Sequence, residues 1–228
     1  MQKLLLFDID GTILNSGGAG KRAMVRAFEE VWGVSDGFRG IHMSGKTDPF
    51  ILRQALEQAG LATDKTKTEA FKSRYFELLS IEIEKPNAFK KLMPGILALI
   101  RHLHEEPTVE LGLLTGNWRR GAELKLGHFG LFGFFKVGAF GDDSEDRNQL
   151  LPFALKRFAE QNGSPLPIEN VYVIGDTPRD VQSAQPYGAK TVAIATGTYS
   201  LDQLRAESPD FLFPDLKNWQ HFLQILKN

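Results

Sequence analysis

Cysteine is missing from this chain altogether, which removes disulfides, thiolate metal sites and cysteine nucleophiles from consideration. Neither sign of charge dominates: 27 Lys and Arg stand against 28 Asp and Glu. The basic excess of a nucleic-acid binder is therefore absent, and no nucleic-acid partner is expected. No apolar run approaches the ~18 residues of a membrane span. The first such run, Leu4-Leu5-Leu6-Phe7, stops at Asp8, too soon for a signal-peptide core. Internal repeats and low-complexity tracts are lacking as well. These absences leave the expectation of a cytoplasmic protein without membrane contact. What remains, 228 residues with 42% hydrophobic and 24% charged side chains, is ordinary globular composition, long enough to bury a core.

The apolar residues come in short runs that read as buried parallel strands: Leu4–Ile9, Val109–Leu114, Lys136–Phe140, Val171–Ile174, Thr191–Ala195 and, more weakly, Phe211–Phe213. Helix-like stretches alternate with them at Gly95–His104, Gly121–Leu126, Leu150–Glu160 and Arg179–Gln185. This alternation predicts an α/β fold with a doubly wound parallel sheet. The gap between the first two strands differs. From Asn15 to Leu92 the pattern is helical with no clear strand signal, and Met24, Phe28 and Val31 recur at helical spacing. Asp48-Pro49 reads as a cap followed by Pro at the first helical position, and a further helix is expected over Thr68–Glu84. So long a stretch exceeds a crossover loop. The expected organisation is a core of residues 1–14 and 93–228, with a helical module, residues 15–92, inserted after the first strand.

Three strand ends carry polar groups suited to chemistry. Asp8-Ile9-Asp10-Gly11-Thr12 places two carboxylates two residues apart after an apolar strand, so both point to one side. Ligands bind at that carboxyl edge in open α/β sheets. Two like charges buried there need a cation or proton between them. Leu114-Thr115-Gly116-Asn117 offers a hydroxyl and a glycine backbone to an oxyanion or phosphate. Ile174-Gly175-Asp176-Thr177-Pro178-Arg179-Asp180 adds two more carboxylates after a third strand, hard oxygen ligands that suit Mg²⁺.

With these motifs in this order, the chain resembles the haloacid dehalogenase-like phosphatases along nearly its whole length, and its helical insert resembles that family's cap. The run Leu126-Gly127-His128-Phe129-Gly130-Leu131-Phe132 is similar to the phosphoglycolate phosphatase branch. The resemblance implies a Rossmann-like core and a Mg²⁺-dependent phosphatase acting on a small phosphorylated metabolite through an aspartyl phosphate. Asp8 is then the nucleophile, and Asp10 first protonates the leaving alcohol and then activates water. Mg²⁺ is expected on Asp8, the backbone carbonyl of Asp10, and Asp176, with Asp180 supporting the metal site. Thr115 and Gly116, with Asn117 beside them, are expected around the phosphoryl oxygens. Haloacid dehalogenation itself does not fit, since Asp10 suits a phosphate leaving group.

The family's third motif, a Lys before a Pro-rich turn, is not matched. Here the segment reads Asp142-Asp143-Ser144-Glu145-Asp146-Arg147-Asn148. Arg147 is the candidate for that cation and Lys156 the rival. Two alternatives stand beside the phosphatase reading. One is a phosphomutase resembling β-phosphoglucomutase, which would keep the same aspartates. The other is a nucleotide-binding protein, because Gly40-Ile41-His42-Met43-Ser44-Gly45-Lys46-Thr47 has P-loop spacing. That motif needs an apolar strand before it, and Val34–Arg39 is a poor one. Lys46 fits better as a cap residue contacting substrate.

Overall fold

The computed structural model describes residues 1–227. Strands and helices alternate in the order β1 (Lys3–Phe7), β2 (Leu14–Ser16), α1 (Ala19–Trp32), α2 (Asp48–Gln58), α3 (Lys65–Glu82), β3 (Lys90–Leu92), α4 (Ile96–Glu105), β4 (Val109–Leu114) and α5 (Arg119–His128). There follow β5 (Val137–Ala139), α6 (Leu150–Asn162), β6 (Val171–Gly175), α7 (Pro178–Ala184), β7 (Lys190–Ile194), α8 (Leu201–Ala206), β8 (Phe211–Phe213) and α9 (Trp219–Gln224).

β1 is apolar at every position after Lys3 because both of its faces are covered. Leu5 and Phe7 pack with Leu99 and Leu103 of α4, while Leu4 and Leu6 pack with Leu150, Ala154 and Phe158 of α6. The six-stranded sheet runs β5-β4-β1-β6-β7-β8, all parallel. It is thus the expected doubly wound α/β core. The chain winds outward from β1 in one direction through β4 and β5, then returns to its other side for β6, β7 and β8. Phe7 pairs with Leu113 on one side and Ile174 on the other, so β1, β4 and β6 end at one level. That level is the topological switch point, where the loops diverge and leave a crevice.

Residues 19–83 contribute a second apolar cluster, with Ala23, Ala27 and Phe28 of α1 against Phe71, Tyr75 and Leu78 of α3. Trp118, at the head of α5, joins that cluster from the sheet side. The sequence predicts no strand here, yet β2 and β3 form an antiparallel ribbon, Leu14 opposite Leu92 and Ser16 opposite Lys90. Its strands are too short and too polar to show alternation; pairing follows from the two crossings of the chain lying side by side. The start of α2 also shifts by one residue: Thr47, whose hydroxyl accepts from Phe50 N–H at 3.3 Å, is the N-cap, and Asp48 is already helical. At the other end of the prediction, β1 stops at Phe7, and Asp8 and Ile9 lie beyond the ladder.

Candidate active site

Asp8 follows β1 directly, and its N–H donates to Ile174 O at 2.9 Å, so the strand register holds its backbone. The chain must then turn at once. Gly11 does so at φ 92°, and a Cβ there would lie 2.6 Å from Cγ of Asp176, so only glycine permits both the turn and the approach of that carboxylate. Thr12, fully buried, donates to Asp176 Oδ1 at 2.8 Å.

Asp8, Asp176 and Asp180 each bring one carboxylate oxygen to within 4.8 Å of the others, and all three are buried. Burial pushes Asp8 up to about 6, against the pull of Arg147 and with the help of the charges on Asp180 and Asp10. Burial, then the charges of Asp180 and Asp8, raise Asp176 well above the usual carboxylate range. The two oxygens of Asp180 are already engaged. Oδ2 accepts from Thr177 N–H at 2.9 Å and Thr177 Oγ1 at 2.8 Å, in a capping box at the start of α7, and Oδ1 accepts from Arg147. Asp8 and Asp176 therefore face each other as crowded, under-compensated carboxylates. Hard anionic oxygens in this state fit a divalent cation such as Mg²⁺.

Arg147 is brought in from the loop before α6. It is 5% exposed, its Nη2 lies 3.3 Å from Asp8 Oδ1, and it pairs with Asp180. Lys156, by contrast, has a side chain 75% exposed and reaches only Glu160, at 3.8 Å. A single nitrogen of the guanidinium, Nη2, meets both carboxylates.

Thr115 follows β4, fully buried, and its Oγ1 accepts from the side-chain amide of Asn117 at 2.9 Å. Asn117 also donates to Asp10 Oδ2 at 3.0 Å, so its amide serves Asp10 and Thr115. Gly116 has a further use. Its carbonyl accepts from Asp48 N–H at 2.7 Å, and a Cβ on it would collide with the backbone of Lys46 and Thr47. The α2 end of the insert is thereby seated directly on the strand-end loop.

Lys46 lies in a crevice of about 230 Å³ lined by Thr47, Phe50 and Arg53 on one side and Glu145, Asp146, Arg147 and Arg179 on the other. Its Nζ donates to Gln54 at 2.7 Å, and burial together with the charge of Arg179 lowers its pKa. The octapeptide ending at Thr47 follows α1 and turns, without the strand that a P-loop requires.

Two buried groups escaped the sequence reading. Lys125 on α5 donates to Asp10 Oδ2 at 2.5 Å and to Asn117 Oδ1 at 2.6 Å. Burial pulls its pKa down, but Asp10 and Asp48 more than offset this and hold it above the usual value. Asp48 accepts from Trp118 N–H at 2.8 Å, and burial pushes it up to about 7. The signal for Lys125 was its spacing: Gly121, Ala122, Lys125 and Leu126 form one buried stripe of α5.

Residues 2–188 match the haloacid dehalogenase-like hydrolase family. Phosphoglycolate phosphatase of Pseudomonas putida (strain KT2440) is 26% identical over 218 residues, covering 95% of this chain and 78% of that protein. A Haemophilus somnus 129PT protein described as a predicted phosphoglycolate phosphatase has a solved structure with a TM-score of 0.70 at 18% identity, covering 97% of this chain and 98% of the other. A Bacteroides vulgatus protein named as a candidate β-phosphoglucomutase has a TM-score of 0.68 at 20% identity, covering 100% and 91%. At these identities the structural likenesses speak for the fold. The family match spans β1 through α7, and with it every strand end described above: the chain belongs to the haloacid dehalogenase-like hydrolases.

Proposed function

We propose that this haloacid dehalogenase-like phosphatase hydrolyses a small-molecule phosphate monoester through an aspartyl phosphate on Asp8, with Mg²⁺ as cofactor. The observation that carries the reading is the buried group of Asp8, Asp176 and Asp180 with Arg147 lying against Asp8. An Asp8 oxygen attacks phosphorus as the bond from phosphorus to the leaving oxygen breaks, and Asp10 gives that oxygen a proton. Asp10, now ionised, takes a proton from water as the water oxygen bonds phosphorus. The bond from Asp8 to phosphorus then breaks and phosphate leaves. Mg²⁺ on Asp8, Asp176 and the Asp10 carbonyl would offset the repulsion between carboxylate and phosphate. Asp180 holds Arg147 in place, and the Thr115 hydroxyl and Gly116 amide take phosphoryl oxygens.

The leaving group belongs in the crevice beside Lys46. Its lining carries Lys46, Arg53, Arg147 and Arg179 against Glu145 and Asp146, an excess of positive charge. Such a lining favours a leaving group that is itself an acid, the kind of substrate named for the Pseudomonas putida relative. The test is a panel of phosphoglycolate, an aryl phosphate and hexose phosphates, with and without Mg²⁺. Free phosphate, released fastest from the acidic substrate, is expected. A hexose phosphate returned as its isomer would favour the mutase reading, and no turnover of any phosphate ester would end the proposal.

Arg147→Ala is expected to lower kcat/KM by about 10²–10³-fold, the scale of losing one charge-stabilising donor at a reacting centre. Arg147→Lys should regain part of the loss, and Lys156→Ala should change nothing measurable. Steady-state kinetics on the three variants decide it; equal losses in Arg147→Ala and Lys156→Ala would overturn the assignment.

A further inference from the structure

The reaction described above gives no part to Lys125, a buried charge that touches Asp10. Lys125 is 5% exposed, although it sits on a helix whose other face is open to solvent. Gly20 of α1 covers it: a Cβ there would come within 3.4 Å of the ammonium and 3.7 Å of the Tyr75 hydroxyl. Beneath that cover Nζ meets two acceptors, Asp10 Oδ2 at 2.5 Å and Asn117 Oδ1 at 2.6 Å. The Asn117 amide in turn donates to the same Asp10 Oδ2, at 3.0 Å, and to Thr115 Oγ1. Two donors therefore converge on one oxygen of Asp10, and among the described residues no protein donor reaches the other, Oδ1. The Asp10 side chain is 42% exposed, so packing alone does not hold its carboxylate plane.

We propose that Lys125 is a positioning residue for the proposed reaction: with Asn117 it pins Oδ2 of Asp10 and leaves Oδ1 as the oxygen that passes a proton to the leaving group. The inference rests on the acid–base part assigned to Asp10 above. A carboxylate free to rotate presents either oxygen at many angles, whereas proton transfer needs one oxygen within hydrogen-bond reach and aligned. An ionic donor and an amide fixed on Oδ2 remove that freedom, and the ionic hydrogen bond is the stronger of the two. Lys125 is buried beneath Gly20 with its ammonium on Asp10 and Asn117, so it is placed to act through Asp10. Its effect should therefore appear in the proton-dependent step and leave substrate binding alone.

The experiment compares an alkyl phosphate, whose leaving oxygen needs a proton, with p-nitrophenyl phosphate, whose leaving group departs without one. Wild type, Asp10→Asn, Lys125→Met, Lys125→Gln and Asn117→Ala are assayed on both, and thermal melts establish which are folded. In Lys125→Met, kcat/KM on the alkyl ester, which reads the steps up to departure of the leaving group, is expected to fall about 10²-fold, the scale of general acid catalysis, and on p-nitrophenyl phosphate less than about tenfold. Lys125→Gln, which keeps a donor of similar reach, should recover part of the alkyl activity. If Lys125→Met does not fold, Lys125→Gln and Asn117→Ala carry the same comparison. Equal losses of kcat/KM on the two esters in the folded variants, or no loss, overturn the proposal. Should Asp10→Asn itself lower kcat/KM for the two esters alike, the acid part of Asp10 falls and this inference with it. A steep preference in Asp10→Asn beside an even loss in the Lys125 variants removes Lys125 alone.

Discussion

Asp8→Asn is expected to give a folded protein whose turnover is at least about 10⁴-fold below wild type, on the scale of removing a nucleophile that forms a covalent intermediate. The amide is nearly the same shape, and the hydrogen bond from the backbone N–H of residue 8 to Ile174 O does not involve the side chain. The variant should also be the more stable protein when no metal is bound. In the unfolded chain the Asp8 carboxyl ionises near 3.8, whereas burial in the fold holds it up to about 6. Between those values the folded state binds the extra proton, so this group costs stability progressively as pH rises through that window, and the cost is complete above it. Asn has no such cost. In chelator at pH 8 the variant should exceed wild type by roughly 2–3 kcal/mol, at about 1.4 kcal/mol per pKa unit, and the gap should close near pH 4. Denaturant titrations across that range measure it. Retained turnover, or a variant less stable than wild type at pH 8 in chelator, contradicts the account of the site.

Chelation of divalent cations is expected to stop phosphate release, and Asp176→Ala to raise the Mg²⁺ concentration needed for half activity by about 100-fold or more. Asp176 is the neighbour proposed to share the cation with Asp8, because Asp180 already spends both oxygens on Thr177 and Arg147. Mg²⁺ should raise the melting temperature of wild type, since a ligand that binds only the folded state stabilises it by mass action. It should do so much less in Asp176→Ala. The melt reads binding without turnover, so a dead variant remains informative. Full activity in excess chelator, or an unchanged Mg²⁺ requirement in Asp176→Ala, would place the metal elsewhere or nowhere.

Some parts of this site were plain in the sequence because their signal is local. Asp8 and Asp10 stand at the end of an apolar run, and Asp176 and Asp180 at the end of another; alternation and strand ends are read from neighbours in the chain. Arg147 was harder. Its loop departs from the family pattern, and only the absence of a better-placed cation nearby pointed to it. It proved to lie against Asp8, with Lys156 out in solvent. Asp48 carried no local mark of this kind, and Lys125 only its place on the buried stripe of α5. An isolated Lys in a helix and an Asp beside a Pro look like solvated positions until a second element covers them.

The amino-acid sequence by itself determined the α/β class, the strands that bury both faces and the acidic strand ends, because each depends on spacing along the chain. Tertiary structure decided what depends on distant segments meeting. It paired β2 with β3, Leu14 opposite Leu92 and Ser16 opposite Lys90, two polar segments far apart in the chain that neither alone would mark as strand. Seating Lys46 and Thr47 on Gly116 and drawing Asp48 to Trp118 were also its doing. So was setting Lys125 and Asn117 on the same oxygen of Asp10. These contacts join residues whose sequence neighbours say nothing of one another, and a buried charge is tolerated only where such a partner has already been brought to it.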